Sequence, residues 1–594
     1  MSGSETQESG EVRIGHSLNK NEEEFVAKRR KDIHQSLKKL EISCSENEVP
    51  NIALLGSGGG ERAMVGLLGS LDQLKKTGLL DCILYLSGIS GSTWCMASLY
   101  KEPDWSTQLD TVKDNIINRL TGPKVSWEER CENLKRYYAE KGKDMFSLTD
   151  VWAVMFVKSC VKEIDQCTLT EQQNKHDKDP FPIYAVIDSH SKKSKDADPW
   201  FEFTPYEAGY SLTGAFVETS SFGSQFDNGC KIKDHPEMDM LYLQGLCGSA
   251  LADGEEIRKF LWEKIEDFFK KLLPPSLKTD QAGNPGGPST DEFNQVLMDL
   301  VDMNISVLEG NDPSEFDESI RAKLTKLSGG KHQLIISTES LNLADKEAAK
   351  QFMEQYTEDV CNALNCCSSS EDKQLTEGEQ QQELVLLTDW HVKSAIRSIS
   401  SKFKRLEIYV SICKCMAQWK WGRNYGFLHN ITDEAVPSAL RQNKIRHYED
   451  AGLLLNSPYF SVLRKARDID LIISLDFSDD KDPFTTVKET AETCRELNIP
   501  FPEVNIPKED IKNPKDFYVF KGQNTPTVIH IPLFNVVNCG DKMMDWKNRY
   551  KTFQRPYSTE MITDLMEVAG KNITNNVDNL KQQIRLAMKN KNNE

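Results

Sequence analysis

The sharpest chemical signal in the chain is Gly88-Ile89-Ser90-Gly91-Ser92. Glycines two before and one after a serine allow a strained turn that pushes the hydroxyl out at a strand tip, with the start of the next helix behind it. The string gains its weight from context: Cys82-Ile83-Leu84-Tyr85-Leu86 reads as a buried strand and Ser92–Tyr100 is helix-compatible. Ser90 is therefore a candidate nucleophile, the bland alternative being a structural turn. A second glycine cluster, Gly56-Ser57-Gly58-Gly59-Gly60-Glu61-Arg62-Ala63, follows the apolar run Asn51-Ile52-Ala53-Leu54-Leu55. Successive glycines leave backbone N–H groups unobstructed and a helix start adds positive potential, which suits an oxyanion or a phosphate. Gly58-x-Gly60-x-x-Ala63 also fits a dinucleotide fingerprint, but the acidic ribose partner expected about 20 residues further on is missing, and the Ser90 turn stands there instead.

A serine hydroxyl is inert at neutral pH unless a base takes its proton. The chain has 10 histidines and none sits in a recognisable motif. His447-Tyr448-Glu449-Asp450-Ala451-Gly452-Leu453 is the one suggestive segment, offering His447 for a Ser/His/Asp arrangement or Asp450 for a two-residue dyad. Spacing alone leaves both open.

The elements that must hold these groups are two consecutive strand-turn-helix units, Asn51–Leu74 and Cys82–Tyr100, which imply a parallel sheet. Further strands are expected over Ile183–Ile187, Asp470–Asp476 and Thr527–Pro532. Residues 1–22 are polar and read as a disordered lead-in. Phe25, Val26, Ile33, Leu37 and Leu40 then recur at helical spacing, as in a helix docked on the main body. One catalytic domain is expected over 23–560, interrupted by low-order insertions at about 273–290 and 368–382 that read as loops or lids, with a helical tail over 561–594. With 594 residues a large core is within reach. The 15 cysteines form no framework and read as reduced thiols of the cytosol. The net charge of −18 repels nucleic acid. No run approaches the roughly 20 apolar residues a spanning helix needs.

Leu55–Met64, Ser87–Trp94, Trp200–Glu207, Trp419-Lys420-Trp421-Gly422, Asp450–Leu453 and Asp470–Ser478 together resemble the catalytic domain of the group IV cytosolic phospholipases A2, in the family's order and most closely its gamma type. The resemblance implies an α/β fold, a three-layer α/β/α patatin-like domain with lid insertions. It also implies a reaction in which Ser90 attacks an acyl ester, Asp450 is the general base, Gly59 and Gly60 donate to the oxyanion, and Arg62 and Arg467 handle the substrate phosphate. No metal and no cofactor are called for. The implied substrates are glycerophospholipids and lysophospholipids met at membrane surfaces, with lysophospholipase and transacylase activity alongside phospholipase A2 activity.

The larger family members carry a calcium-dependent membrane-targeting domain; only a short helix and tail precede the catalytic region in this chain, so calcium-independent activity is expected. The prenylation signal of the gamma type is absent from the end, so membrane attachment is expected to be transient and peripheral, in a cytoplasmic protein. Glu61 stands where the family is usually apolar. A carboxylate between Gly60 and Arg62 could pair with the arginine and oppose the oxyanion, and it sustains the alternative of a catalytically weakened, lipid-binding member of the fold.

Overall fold

The computed structural model describes residues 12–123, 125–192, 198–249, 261, 265, 290–308, 310–330, 334–369, 408, 411–412, 414–416, 418–552 and 557–591. The chain divides into two compact units, one formed by Met1–Cys131, Trp152–Leu251 and Gly422–Glu594, the other by Glu132–Val151 and Ala252–Trp421.

The first unit is built on a mixed twelve-stranded sheet. Its strands are β1 (Arg13–Ile14), β2 (Ile52–Gly56), β3 (Tyr85–Gly88), β4 (Phe181–Asp188), β5 (Trp200–Phe203), β6 (Glu207–Tyr210), β7 (Ala215–Glu218), β10 (Arg423–Tyr425), β11 (Ile445–Asp450), β12 (Leu471–Asp476), β13 (Tyr518–Phe520) and β14 (Thr527–Pro532), while β8 (Gln225–Asp227) and β9 (Cys230–Lys233) form a separate ribbon. The centre is parallel, in the order β14, β12, β2, β3, β4. Antiparallel wings extend it, β13 on one side and β5, β6, β7 and β1 on the other. Strands buried on both faces must be apolar throughout, and Ile52-Ala53-Leu54-Leu55 is fully buried. The α/β fold is thus the expected one. The strands expected over 183–187, 470–476 and 527–532 are β4, β12 and β14.

Strand β4 organises the site. Its first half pairs in parallel with β3, ending at Gly88 opposite Tyr184. Its second half pairs antiparallel with β11, ending at Asp450 opposite Val186. Tyr184 and Val186 both also pair with β5, so β3 and β11 share the other flank of β4. The C-terminal ends of β3 and β11 therefore face one another, separated along β4 by two residues, or about 7 Å.

Helices α2 (Glu61–Lys76) and α3 (Gly91–Tyr100) follow β2 and β3 as the two strand-turn-helix units require. Helix α1 (Lys20–Lys39) is capped by Asn19, whose side chain accepts the Asn21 N–H, and buries Ile33 and Leu37. Order begins earlier than the polar lead-in suggests: Arg13–Ile14 pairs with β7, and Glu22 is fully buried. Residues 1–11 lie outside the described ones. The expected C-terminal tail belongs to the core as well. Helix Thr559–Thr574 packs on α2 so closely that a Cβ on Gly69 would lie 2.6 Å from the Met566 carbonyl. Of the two expected insertions, 273–289 and 370–382 lie outside the described residues.

The second unit is mainly helical among the described residues. Helices Thr290–Leu308, Ser314–Leu327 and Lys346–Ser369 close on Leu297, Leu300, Val301, Ile320, Tyr356 and Val360, all buried. Asp317 ties two of them, accepting from Arg321 on its own helix and from the Tyr356 hydroxyl.

A buried ion cluster joins the ends of the first unit. The Arg467 guanidinium donates to Glu22 at 2.9 Å, to Glu202 at 2.8 Å and to the Ser461 carbonyl, and stacks over Tyr85. Arg464 donates to the same Glu202. Burial alone would pull the Arg467 pKa down, but the Glu202 and Glu22 carboxylates outweigh it and hold it well above the ordinary value. Burial likewise opposes ionisation of Glu202, and Arg467 and Arg464 nonetheless keep its pKa below the usual range. Replacing one member of such a cluster strands the others, so Arg467→Met should lower unfolding free energy by about 3–5 kcal/mol in urea titration. Because Glu202 titrates below its unfolded value, its contribution is present above about pH 4.3 and is lost as pH falls through the folded value; the mutant's deficit should shrink accordingly in acid.

Candidate active site

Ser90 ends the turn after β3 with φ 50° and ψ −129°, a strained conformation for a residue with a side chain. It is held there by its N–H donating to the Cys247 carbonyl at 3.1 Å and by its own carbonyl accepting from Thr93. The neighbouring glycines are steric requirements: a Cβ on Gly88 would lie 2.7 Å from the Met96 sulfur, and one on Gly91 would overlap the Gly60 carbonyl. The first loop ends in nearly the same backbone shape, with Gly60 at φ 59° and ψ −137° capping α2. The two turns lock together through the Ser92 hydroxyl, which donates to the Ser57 carbonyl at 2.7 Å. Gly58 donates its N–H to Asn456, whereas among the described residues no backbone carbonyl accepts from Gly59 or Gly60.

Asp450 is completely buried at the end of β11. Its Oδ1 accepts the Gly452 N–H at 2.8 Å, and its own N–H donates to the Ser249 hydroxyl. The short segment after helix Met240–Cys247 serves both candidates: the Cys247 carbonyl holds Ser90, while burial and then the Asp450 charge push the Cys247 thiol well above its ordinary pKa. On β11 burial alternates, with Arg446, Tyr448 and Asp450 inward and His447 and Glu449 half-exposed on the other face. His447 therefore does not join Asp450; its ring packs against His190.

A cavity of about 380 Å³ is lined by Gly59, Gly60, Arg62, Ser90, Trp94, Gly248, Gly452 and Asn456, with Asp479, Asp480 and Glu489 on one side. Of the residues singled out in the sequence, the structure brings Ser90, Gly59, Gly60 and Arg62 to this cavity; Asp450 does not line it but is hydrogen-bonded to Gly452, which does. Arg62 is 1% exposed and donates to the carbonyls of Phe477 at 2.7 Å and Tyr550 at 2.6 Å, with Asp479 at 3.8 Å. Its burial lowers its pKa, opposed by Asp479. Arg467 is not brought there, being committed to Glu22 and Glu202.

Glu61 takes neither of the positions its sequence context suggests. It does not line the cavity or pair with Arg62; it points into the protein and accepts the Tyr557 N–H at 3.1 Å. Burial raises its pKa to about 7, partly offset by that hydrogen bond and by Lys162. Sequence reasoning missed Cys247 and Ser249, since helix Met240–Cys247 carries no motif, and it missed the acidic side of the cavity, where Asp479-Asp480 simply follows a strand.

A serine raised on a glycine-flanked turn, a glycine loop against it and a buried carboxylate at the facing strand end, all on a parallel-centred sheet, make the arrangement of an acyl hydrolase. The family described as lysophospholipase catalytic domain matches residues 52–254. The chain is 32% identical to cytosolic phospholipase A2 gamma of Mus musculus over 96% of its own length and 91% of that protein's, and 32% identical to the Homo sapiens counterpart over 96% and 95%. Among solved structures, human GIVD cytosolic phospholipase A2 superposes with a TM-score of 0.63 at 21% identity, covering 98% of this chain and 69% of that one, a likeness of fold. The chain belongs to the cytosolic phospholipase A2 family and is an ester-hydrolysing enzyme of it.

Glu61 yields a prediction with a definite sign. A carboxyl whose folded pKa is raised binds more protons folded than unfolded, so stability falls as pH rises from about 4.3 toward 7. Melting temperature measured from pH 5 to pH 8 should fall more steeply in the parent than in Glu61→Gln; parallel curves would remove Glu61 as the cause.

Proposed function

We propose that this enzyme hydrolyses the acyl esters of glycerophospholipids and lysophospholipids by a Ser90–Asp450 dyad. The observation that carries the reading is the meeting of the β3 and β11 ends along one flank of β4, beside a cavity that Ser90 lines. The substrate class is supported by the names of the relatives and of the matching family. In the first step the Ser90 hydroxyl proton passes to the Asp450 carboxylate as Oγ bonds to the ester carbonyl carbon. Gly59 and Gly60 N–H groups, at the positive end of α2, stabilise the oxyanion, with the Arg62 cation beside them. The ester C–O bond then breaks, the departing oxygen takes the proton from Asp450, and an acyl-Ser90 ester remains. Water attacks that ester with Asp450 again as base, releasing the fatty acid; a lysophospholipid hydroxyl in place of water gives transacylation. The burial of Asp450 keeps bulk water from competing for the proton it is to accept.

No helix among the described residues is long and apolar enough to cross a membrane. We read the enzyme as cytoplasmic, meeting membranes transiently. Calcium-independent activity is part of the same proposal.

Ser90→Ala and Asp450→Asn should each abolish release of labelled fatty acid from phosphatidylcholine vesicles, by about 10³-fold or more, with little further loss in the double variant, since the pair acts as a unit. His447→Ala should remain within about threefold of the parent, as expected of a residue outside the proton path. Loss in His447→Ala with retention in Asp450→Asn would transfer the base to His447. A fluorophosphonate probe should label Ser90; an unlabelled, folded protein would favour the catalytically weakened alternative. Hydrolysis should persist unchanged in excess calcium chelator, and a loss restored by added calcium would overturn that part.

A further inference from the structure

The cavity at Ser90 has one charge pattern that acyl transfer does not use. Asp479, Asp480 and Glu489 line it together with Arg62, the one cation among the described lining residues, whose guanidinium is already engaged by two backbone carbonyls. Asp479 lies 3.8 Å from Arg62 and is partly offset by it. Asp480 and Glu489 are not offset to the same extent. Burial, then the charges of Asp476 and Glu489, push the Asp480 carboxyl above its ordinary range, with Lys547 as the opposing cation; burial and Glu492 do the same to Glu489. At the inner end Ser90 is 7% exposed, and among the described residues its hydroxyl makes no hydrogen bond. Carboxylates continue into a neighbouring cavity, which Lys192 also lines. That cavity, of about 800 Å³, shares Leu454, Leu455 and Glu489 with the first, and Glu492 and Glu496 line it from the same helix, Thr485–Glu496. Their spacing from Glu489, three and seven residues, puts all three on one helical face.

Burial grades this wall in the order of the parts of a phospholipid. Ser90 and Arg62 are buried, Asp480 is half-buried, and Asp479 and Glu489 are exposed. A zwitterionic headgroup runs outward from ester to phosphate to ammonium. Resting on the function proposed above, we propose that Asp480 and Glu489 receive the ammonium end of a zwitterionic glycerophospholipid headgroup while Ser90 addresses its ester, so that the enzyme discriminates against anionic headgroups. Arg62 meets the phosphate that lies between. A net anionic headgroup such as that of phosphatidylglycerol brings the phosphate charge without a compensating ammonium, against carboxylates whose opposing cations among the described residues are Arg62 and Lys547.

The experiment compares kcat/KM on phosphatidylcholine and phosphatidylglycerol of identical acyl chains, each diluted to the same surface fraction in neutral detergent micelles. The parent should prefer phosphatidylcholine by about three- to tenfold, a modest factor because exposed carboxylates are screened by water, and the preference should shrink in high salt. Glu489→Gln with Asp480→Asn should bring the ratio to within about twofold of unity, mainly by improving phosphatidylglycerol. Labelling of Ser90 by an uncharged fluorophosphonate should be unchanged in that variant, which separates headgroup selection from damage to the nucleophile. Glu489→Gln alone, at an exposed position, gives a readout should the double variant fold poorly, and it should move the ratio in the same direction. Equal rates on the two lipids in a labelled, active parent, or a ratio that neither variant moves, would overturn this inference and leave the dyad standing. A parent that is neither labelled nor active on either lipid would overturn the function itself.

Discussion

Strand β4 is long enough to take two partners in succession on one flank, and the site depends on that. β3 arrives parallel and stops at Gly88; β11 arrives antiparallel and stops at Asp450. A carboxylate and a serine from opposite chain directions are thereby set near one another by backbone hydrogen bonds, with no flexible loop deciding their separation. What remains is local: the turn that raises Ser90, the glycines that let two turns interlock, and the Cys247–Ser249 segment that bonds to both sides. Sites held this way by regular elements are stiffer than sites built on loops.

Charge burial then sorts residues that look alike in sequence. Arg62 and Arg467 are each 1% exposed, yet one is held mainly by backbone carbonyls and keeps a face on the cavity, while the other is neutralised by two carboxylates inside the sheet. A guanidinium satisfied by neutral oxygens retains its net charge for a ligand; one satisfied by carboxylates does not. Glu61 shows the converse. Turned inward with one backbone N–H for a partner, it is a carboxyl whose pKa burial raises to about 7, held away from the cleft.

Much of this was legible in the chain because short-range rules decide it. The turns at 56–63 and 88–92 need glycine for steric reasons, and the strands beside them are uninterrupted apolar runs, so the serine turn, glycine loop and sheet centre could be read from local pattern. Which of His447 and Asp450 is buried could not, because it turns on which face of β11 packs inward, and Ile445–Asp450 alternates buried Arg446, Tyr448 and Asp450 with no apolar signature. The ordered stretch from Arg13 to Glu22 was hidden for a related reason. Its composition is polar, and its partners are distant in sequence, β7 for Arg13–Ile14 and Arg467, 445 residues away, for Glu22. The same holds for the C-terminal helices, whose place on α2 depends on Gly69 having no side chain.

The parallel centre also bears on how the molecule is made. β2 lies between β3 and β12, yet the backbone hydrogen bond at the start of the β2–β12 pairing, from the Asp470 N–H to the Asn51 carbonyl, spans 419 residues. During synthesis at roughly 5–20 residues per second, β2 therefore presents a fully apolar strand with an unfilled edge for about 20 to 80 seconds. An edge of that kind pairs readily with other chains. Solubility of the nascent chain then rests on whatever shields Ile52–Gly56 in that interval, so that yield on expression should respond to translation rate and chaperone supply more than to the stability of the finished fold.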